Sequence, residues 1–180
     1  MKRKYILKIA YSALFLALAL VLPFFTGQIK EIGNMLLPMH IPVLLCGFIC
    51  GWQCGLAVGF CAPLLRSLLF GMPLLYPNAL SMAFELAAYG LICALVYNAF
   101  RKKNIFSSYV SLLCAMLGGR VVWGIAHSII LGFAGKSFSF AMFTASAFIN
   151  AVPGIILQLA IIPALVLVIS KFVLKEKENG

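Results

Sequence analysis

From Met39 to Phe70 the chain runs for 32 residues with one charged side chain, Arg66. As a single helix rising about 1.5 Å per residue this run would be about 48 Å long, well beyond the roughly 30 Å hydrocarbon core of a bilayer. It must break and cross back, and Gly51-Trp52-Gln53-Cys54-Gly55 holds the residues suited to a turn. The rest of the chain follows the same pattern, since 64% of its residues are hydrophobic and only 10% are charged. Soluble domains carry roughly a quarter charged residues, so water is not the main solvent of this fold.

A transmembrane helix needs roughly 20 apolar residues, which leaves a chain of 180 residues room for about six spans and no separate soluble domain. The sequence predicts one all-α integral membrane domain over residues 1–180, a six-transmembrane-helix bundle. Its helices are expected near 5–25, 39–50, 55–71, 78–100, 107–133 and 143–172, with an outer loop at 26–38.

The net charge of +10 does not read as a nucleic-acid surface, because the basic residues cap apolar runs instead of gathering on one exposed face. With both termini in the cytoplasm, ten of the fourteen basic residues fall inside: Lys2, Arg3, Lys4, Lys8, Arg101, Lys102, Lys103, Lys171, Lys175 and Lys177. Lys30 and Lys136 remain outside, and Arg66 and Arg120 lie within predicted helices. The reverse orientation would invert that bias, so the positive-inside rule favours cytoplasmic termini. The basic start mimics a signal peptide, but the apolar run from Ile9 to Phe25 exceeds a typical signal core and no small-x-small cleavage site follows. The first helix is expected to stay.

Gly47, Gly51, Gly55 and Gly59 recur at the four-residue spacing that lets membrane helices approach closely. Because the chain must turn within the series, Gly47 and Gly59 are read as packing positions and Gly51 and Gly55 as turn formers. The six cysteines, at 46, 50, 54, 61, 93 and 114, lie in or beside apolar runs. They are read as small, polarisable packing residues, not as disulfide partners or metal ligands.

Polar residues inside spans carry most of the functional signal, since charges there are costly and usually face a bundle interior, a cavity or a partner. Arg66, Glu85 and Arg120 are the intramembrane charges. Arg120, Trp123 and His127 follow i, i+3, i+7 spacing and share a helix face. By helical rise, Glu85, Trp123, His127 and Asn150 all lie roughly 6 to 15 Å from the outer ends of their helices and could meet at one depth. That seam reads as an outward-facing ligand pocket; the alternative is that Glu85 pairs with Arg66 or Arg120 only to neutralise charge and lock packing. His40, between Pro38 and Pro42, reads as an interfacial residue, and the loop at 26–38 suits either a lid or interfacial anchoring.

Gly135-Lys136-Ser137 resembles the end of a phosphate-binding loop, but the motif needs a glycine where Ile130 stands. There is no HExxH, GxSxG or CxxC motif and no Asp at all, so no ATPase or hydrolase is indicated. Channel filters and paired transporter halves are not evident either. What remains is a binding unit without its own engine, with no cofactor implied.

Taken in order, six segments carry a resemblance: Ala13-Leu14-Phe15-Leu16-Ala17, Met39-His40-Ile41-Pro42-Val43-Leu44-Leu45-Cys46-Gly47, Pro63-Leu64-Leu65-Arg66-Ser67, Met82-Ala83-Phe84-Glu85, Gly119-Arg120-Val121-Val122-Trp123-Gly124 and Asn150-Ala151-Val152-Pro153-Gly154. With six predicted spans, the chain resembles the substrate-binding S components of energy-coupling factor (ECF) vitamin transporters, in the broad group that includes riboflavin and pantothenate carriers. The resemblance implies capture of a vitamin-like molecule from outside and assembly with a coupling transmembrane protein and two ATPase subunits, toppling in the membrane to release the ligand inward. It further implies a ligand held by Asn34, Glu85, Tyr89, Arg120, Trp123, His127 and Asn150, and contact with the coupling protein through Ala13 and Ala17. Pantothenate, riboflavin and other vitamins or nucleobase-like compounds all stay open as substrate. The alternative function is a non-transport membrane protein, an intramembrane enzyme or assembly subunit, whose buried charges are structural.

Overall fold

The computed structural model describes residues 2–26, 36–133, 135, 139, 143, 144 and 151–178. Asn34, Asn150 and most of the predicted outer loop lie outside the described residues. Among the described residues six long helices follow in chain order: α1 (Lys2–Val21), α2 (His40–Cys50), α3 (Trp52–Phe70), α4 (Leu80–Ala99), α5 (Ile105–Phe133) and α6 (Val152–Glu178). Among the described residues five segments, Tyr5–Phe25, Trp52–Phe70, Leu75–Ala99, Ile105–Phe133 and Val152–Ile169, are long and apolar enough to cross a membrane; His40–Cys50 is apolar but short. Against the predicted six spans, the described residues thus show five segments of spanning length and one shorter apolar helix.

The reason lies at Gly51. Its φ of 96° is open to glycine and strained for any L side chain, and the chain reverses on this one residue. The Gly51 amide donates to the Gly47 carbonyl at 3.1 Å, and the Gly55 amide to the Gly51 carbonyl at 3.0 Å, so α2 ends and α3 begins without a connecting loop. Gly55, expected to share the turn, is helical instead. A Cβ built there would stand 2.7 Å from the Gly90 carbonyl oxygen and 2.8 Å from the Gly47 Cα. Gly55 is thus a packing residue, as are Gly47 and Gly59: a Cβ on Gly47 would meet the Gly90 oxygen at 2.6 Å, and one on Gly59 would overlap the Leu86 backbone. Small residues let α2, α3 and α4 touch backbone to backbone, which in a bilayer replaces the missing hydrophobic drive between helices.

The other boundaries have equally local causes. Asn104 and Ser107 cap α5 reciprocally, with the Ser107 amide donating to Asn104 Oδ1 at 2.9 Å and the Asn104 amide to Ser107 Oγ at 3.0 Å. That box starts the helix at Ile105 instead of 107. A five-residue π-turn, Leu75–Ala79, precedes α4 and moves its start to Leu80. The described part of the last helix begins at Val152, with Pro153 in the first turn where no amide hydrogen is needed. Of residues 141–150 only Phe143 and Thr144 are described, so the predicted start at 143 lies largely outside the described residues.

Gly51 and the short connections 71–79 and 100–104 reverse the chain between α2, α3, α4 and α5. His40 of α2, the end of α3, the start of α4 and the end of α5 consequently share one end of the bundle, hereafter the His40 end. The apolar core beneath it joins Phe15 and Ala19 of α1, Val43 and Leu44 of α2, Leu86 and Cys93 of α4, Leu112 and Ala115 of α5, and Ile162 and Val166 of α6. The first helix contributes little to this core, and Ala13 and Ala17 are exposed beside Leu14 and Leu18.

Candidate functional site

Two of the three intramembrane charges, Glu85 and Arg120, meet just inside the His40 end. Arg120 of α5 places Nη1 2.8 Å from Oε1 of Glu85 on α4, and both side chains are almost wholly buried. His40 Nε2 lies 3.5 Å from the same carboxylate oxygen. The expected interfacial placement of His40 is corrected here: only 1% of the residue is exposed, because the Glu85 carboxylate and the Tyr89 ring pack against it inside the bundle. Tyr89, one turn along α4 from Glu85, meets the His40 ring edge-on with centroids 4.9 Å apart. A side chain on Gly119 would overlap the Tyr89 ring, so glycine beside Arg120 is what lets Tyr89 approach α5.

A second group lies farther along the same face of α5. Trp123 stacks on His127 with centroids 4.9 Å apart and planes 17° apart, and on Phe143 at 6.2 Å and 24°. His127 Nδ1 is 2.7 Å from Ser81 Oγ, whose single proton goes to the Pro77 carbonyl at 2.7 Å. That leaves Nδ1 as the donor and fixes the tautomer. Nearby, Tyr76 hydrogen-bonds the Ile130 carbonyl and ties the turn before α4 to the end of α5.

Of the residues read from sequence, the structure thus unites Glu85, Tyr89 and Arg120, and pairs Trp123 with His127 one to two turns away. Asn34 and Asn150 lie outside the described residues. The choice of partner for Glu85 resolves toward Arg120. Arg66 is spent elsewhere: its guanidinium donates to the Leu20 carbonyl and sits 4.9 Å from the Phe24 ring centroid and 5.5 Å from that of Phe70. It clamps the end of α1 to α3.

Sequence reasoning missed three polar residues. His40 was assigned to the wrong environment, Ser81 was not distinguished from other helical serines, and Gln158 was overlooked. Gln158 is fully buried, and among the described residues neither polar atom of its amide has a hydrogen-bond partner. It is the lone polar side chain between Val152 and Ile169, a signal available in the sequence. The polar cluster also contains unmet capacity, because Arg120 Nε and Nη2, both His40 nitrogens and Glu85 Oε1 make no hydrogen bond among the described residues. Buried donors in native proteins are nearly always satisfied, so unsatisfied ones single this cluster out among the described residues. Among the described residues no three His, Cys, Asp or Glu side chains gather to hold a metal ion.

No curated protein and no solved structure matches the chain. A family model described as ECF transporter, substrate-specific component, matches residues 7–168, a stretch that includes all of the polar cluster and part or all of every helix. This multi-pass membrane protein belongs to the family of ECF transporter substrate-specific components.

Proposed function

We propose that the chain captures a vitamin-like small molecule from the outer face of the cell membrane and delivers it inward with a coupling membrane protein and two ATPase subunits. The observation that carries this reading is the buried Glu85–Arg120–His40 cluster with unfilled hydrogen-bonding capacity. The ten basic residues at the opposite end support an orientation with cytoplasmic termini, in which the His40 end faces outward. Glu85, Tyr89, Arg120, Trp123 and His127, with Asn34 and Asn150, hold the ligand. Ligand pockets combine an apolar lining with a few fixed polar groups, and this arrangement has both.

The purified chain, titrated with B vitamins and nucleobase-like compounds, is expected to bind one of them, and Glu85→Gln is expected to weaken that binding about tenfold or more. Asn150→Ala should weaken it too. If both variants bind as wild type does, the pocket lies elsewhere. The exposed small residues of α1 supply the partner surface: Ala13→Trp and Ala17→Trp should abolish transport and assembly with the coupling protein while sparing ligand binding. Normal assembly of these variants would overturn that assignment.

A further inference from the structure

The orphaned atoms of Arg120 narrow the ligand's chemistry. A guanidinium presents its five donors along two edges and a tip; Nε and Nη2 lie side by side on one edge, the spacing that two oxygens of a carboxylate match. Glu85 pairs with Nη1, so the edge it leaves is this side-on fork, and among the described residues neither nitrogen of it has a hydrogen-bond partner. Arg120 is 5% exposed, which means that the fork is not solvated by bulk water. Arg66 cannot serve instead, because its guanidinium is held by Leu20, Phe24 and Phe70.

Charge restricts the guest further. Arg120 and Glu85 cancel, so whatever sits on the fork adds its own charge to a cluster buried among apolar helices. A neutral carbonyl adds no charge but offers one oxygen to a two-donor fork; a carboxylate adds one negative charge and two oxygens, whereas a phosphate monoester adds about −1.5 to −2 near neutral pH and costs more to desolvate.

We infer that the substrate is a monocarboxylate, taken side-on by Nε and Nη2 of Arg120, with Glu85 acting as the positioning residue that holds Nη1 and turns the free edge toward the ligand. The inference rests on the proposed pocket and specifies what it accepts. Glu85 sets the direction of the fork, and its Oε1, which makes no hydrogen bond among the described residues, can also accept from a donor on the same ligand.

The test is calorimetric titration of the full-length purified chain with matched pairs: pantothenate against pantothenol, nicotinate against nicotinamide, biotin against biotin amide, and riboflavin against riboflavin 5′-phosphate. One acid should bind about 100-fold more tightly than its neutral partner. Arg120→Lys, which keeps the charge and loses the fork, should abolish that preference. A neutral compound or the phosphate ester binding best, or an acid preference that survives Arg120→Lys, would overturn the carboxylate assignment. Binding lost in Glu85→Gln would in that event leave the pocket itself standing. Should none of the pairs bind, the four arginines permit a direct readout by 15N-arginine NMR in nanodiscs, with the Arg120 signal identified by its loss in Arg120→Lys. A saturable shift of its Nε–H with propionate and none with propionamide supports the inference; no shift with propionate refutes it.

Discussion

Arg120→Met is expected to lower the free energy of unfolding by about 3–5 kcal/mol, read from denaturant titration in mixed micelles. The substitution roughly keeps side-chain length, so lost packing is a minor part of the effect. The larger part is the carboxylate of Glu85, 2% exposed, left without its cation in an apolar bundle. His40, at 3.5 Å, is a poorer partner than a guanidinium at 2.8 Å. The double variant Glu85→Gln with Arg120→Met buries no charge and should recover most of the loss, since replacing both members of a buried pair is often close to neutral. Additive losses in the double variant would show that the two side chains are not coupled.

Gly90→Ala should cost about 3 kcal/mol in the same assay or prevent folding, although it adds one methyl group. That methyl would be driven into the Gly55 backbone, and backbone cannot swing aside as a side chain can. Gly132→Ala is the matched control. A Cβ there meets nothing within 4 Å, and alanine in a helix is favoured over glycine by about 1 kcal/mol. The two glycine substitutions should therefore move stability in opposite directions, and equal effects would mean that α3 and α4 are not in backbone contact.

Much of this arrangement was legible in the sequence because the bilayer enforces it. Apolar runs located the helices, and the excess length of Met39–Phe70 demanded a reversal near Gly51. The shared face of Arg120, Trp123 and His127 followed from helical spacing, as did the expectation that a buried Glu85 needs a cation. Tertiary packing decided the rest. Gly51 and Gly55 are chemically identical, and only the nearness of Gly90 makes one a turn and the other a contact. Arg66 and Arg120 looked equally able to meet Glu85; the rings of Phe24 and Phe70 removed one of them. His40 misled because its flanking prolines describe a helix entrance and say nothing of how deep that entrance lies.

That depth has a consequence of its own. The second helix has 11 residues against 19 in the antiparallel third, so it stops about 12 Å short of its neighbour's far end. His40, the first residue of that short helix, therefore begins well below the far end of α3 and is buried. A ligand held by Arg120 and Glu85 at that depth would meet them after leaving bulk water, where a mismatched polar group has nowhere to be hydrated.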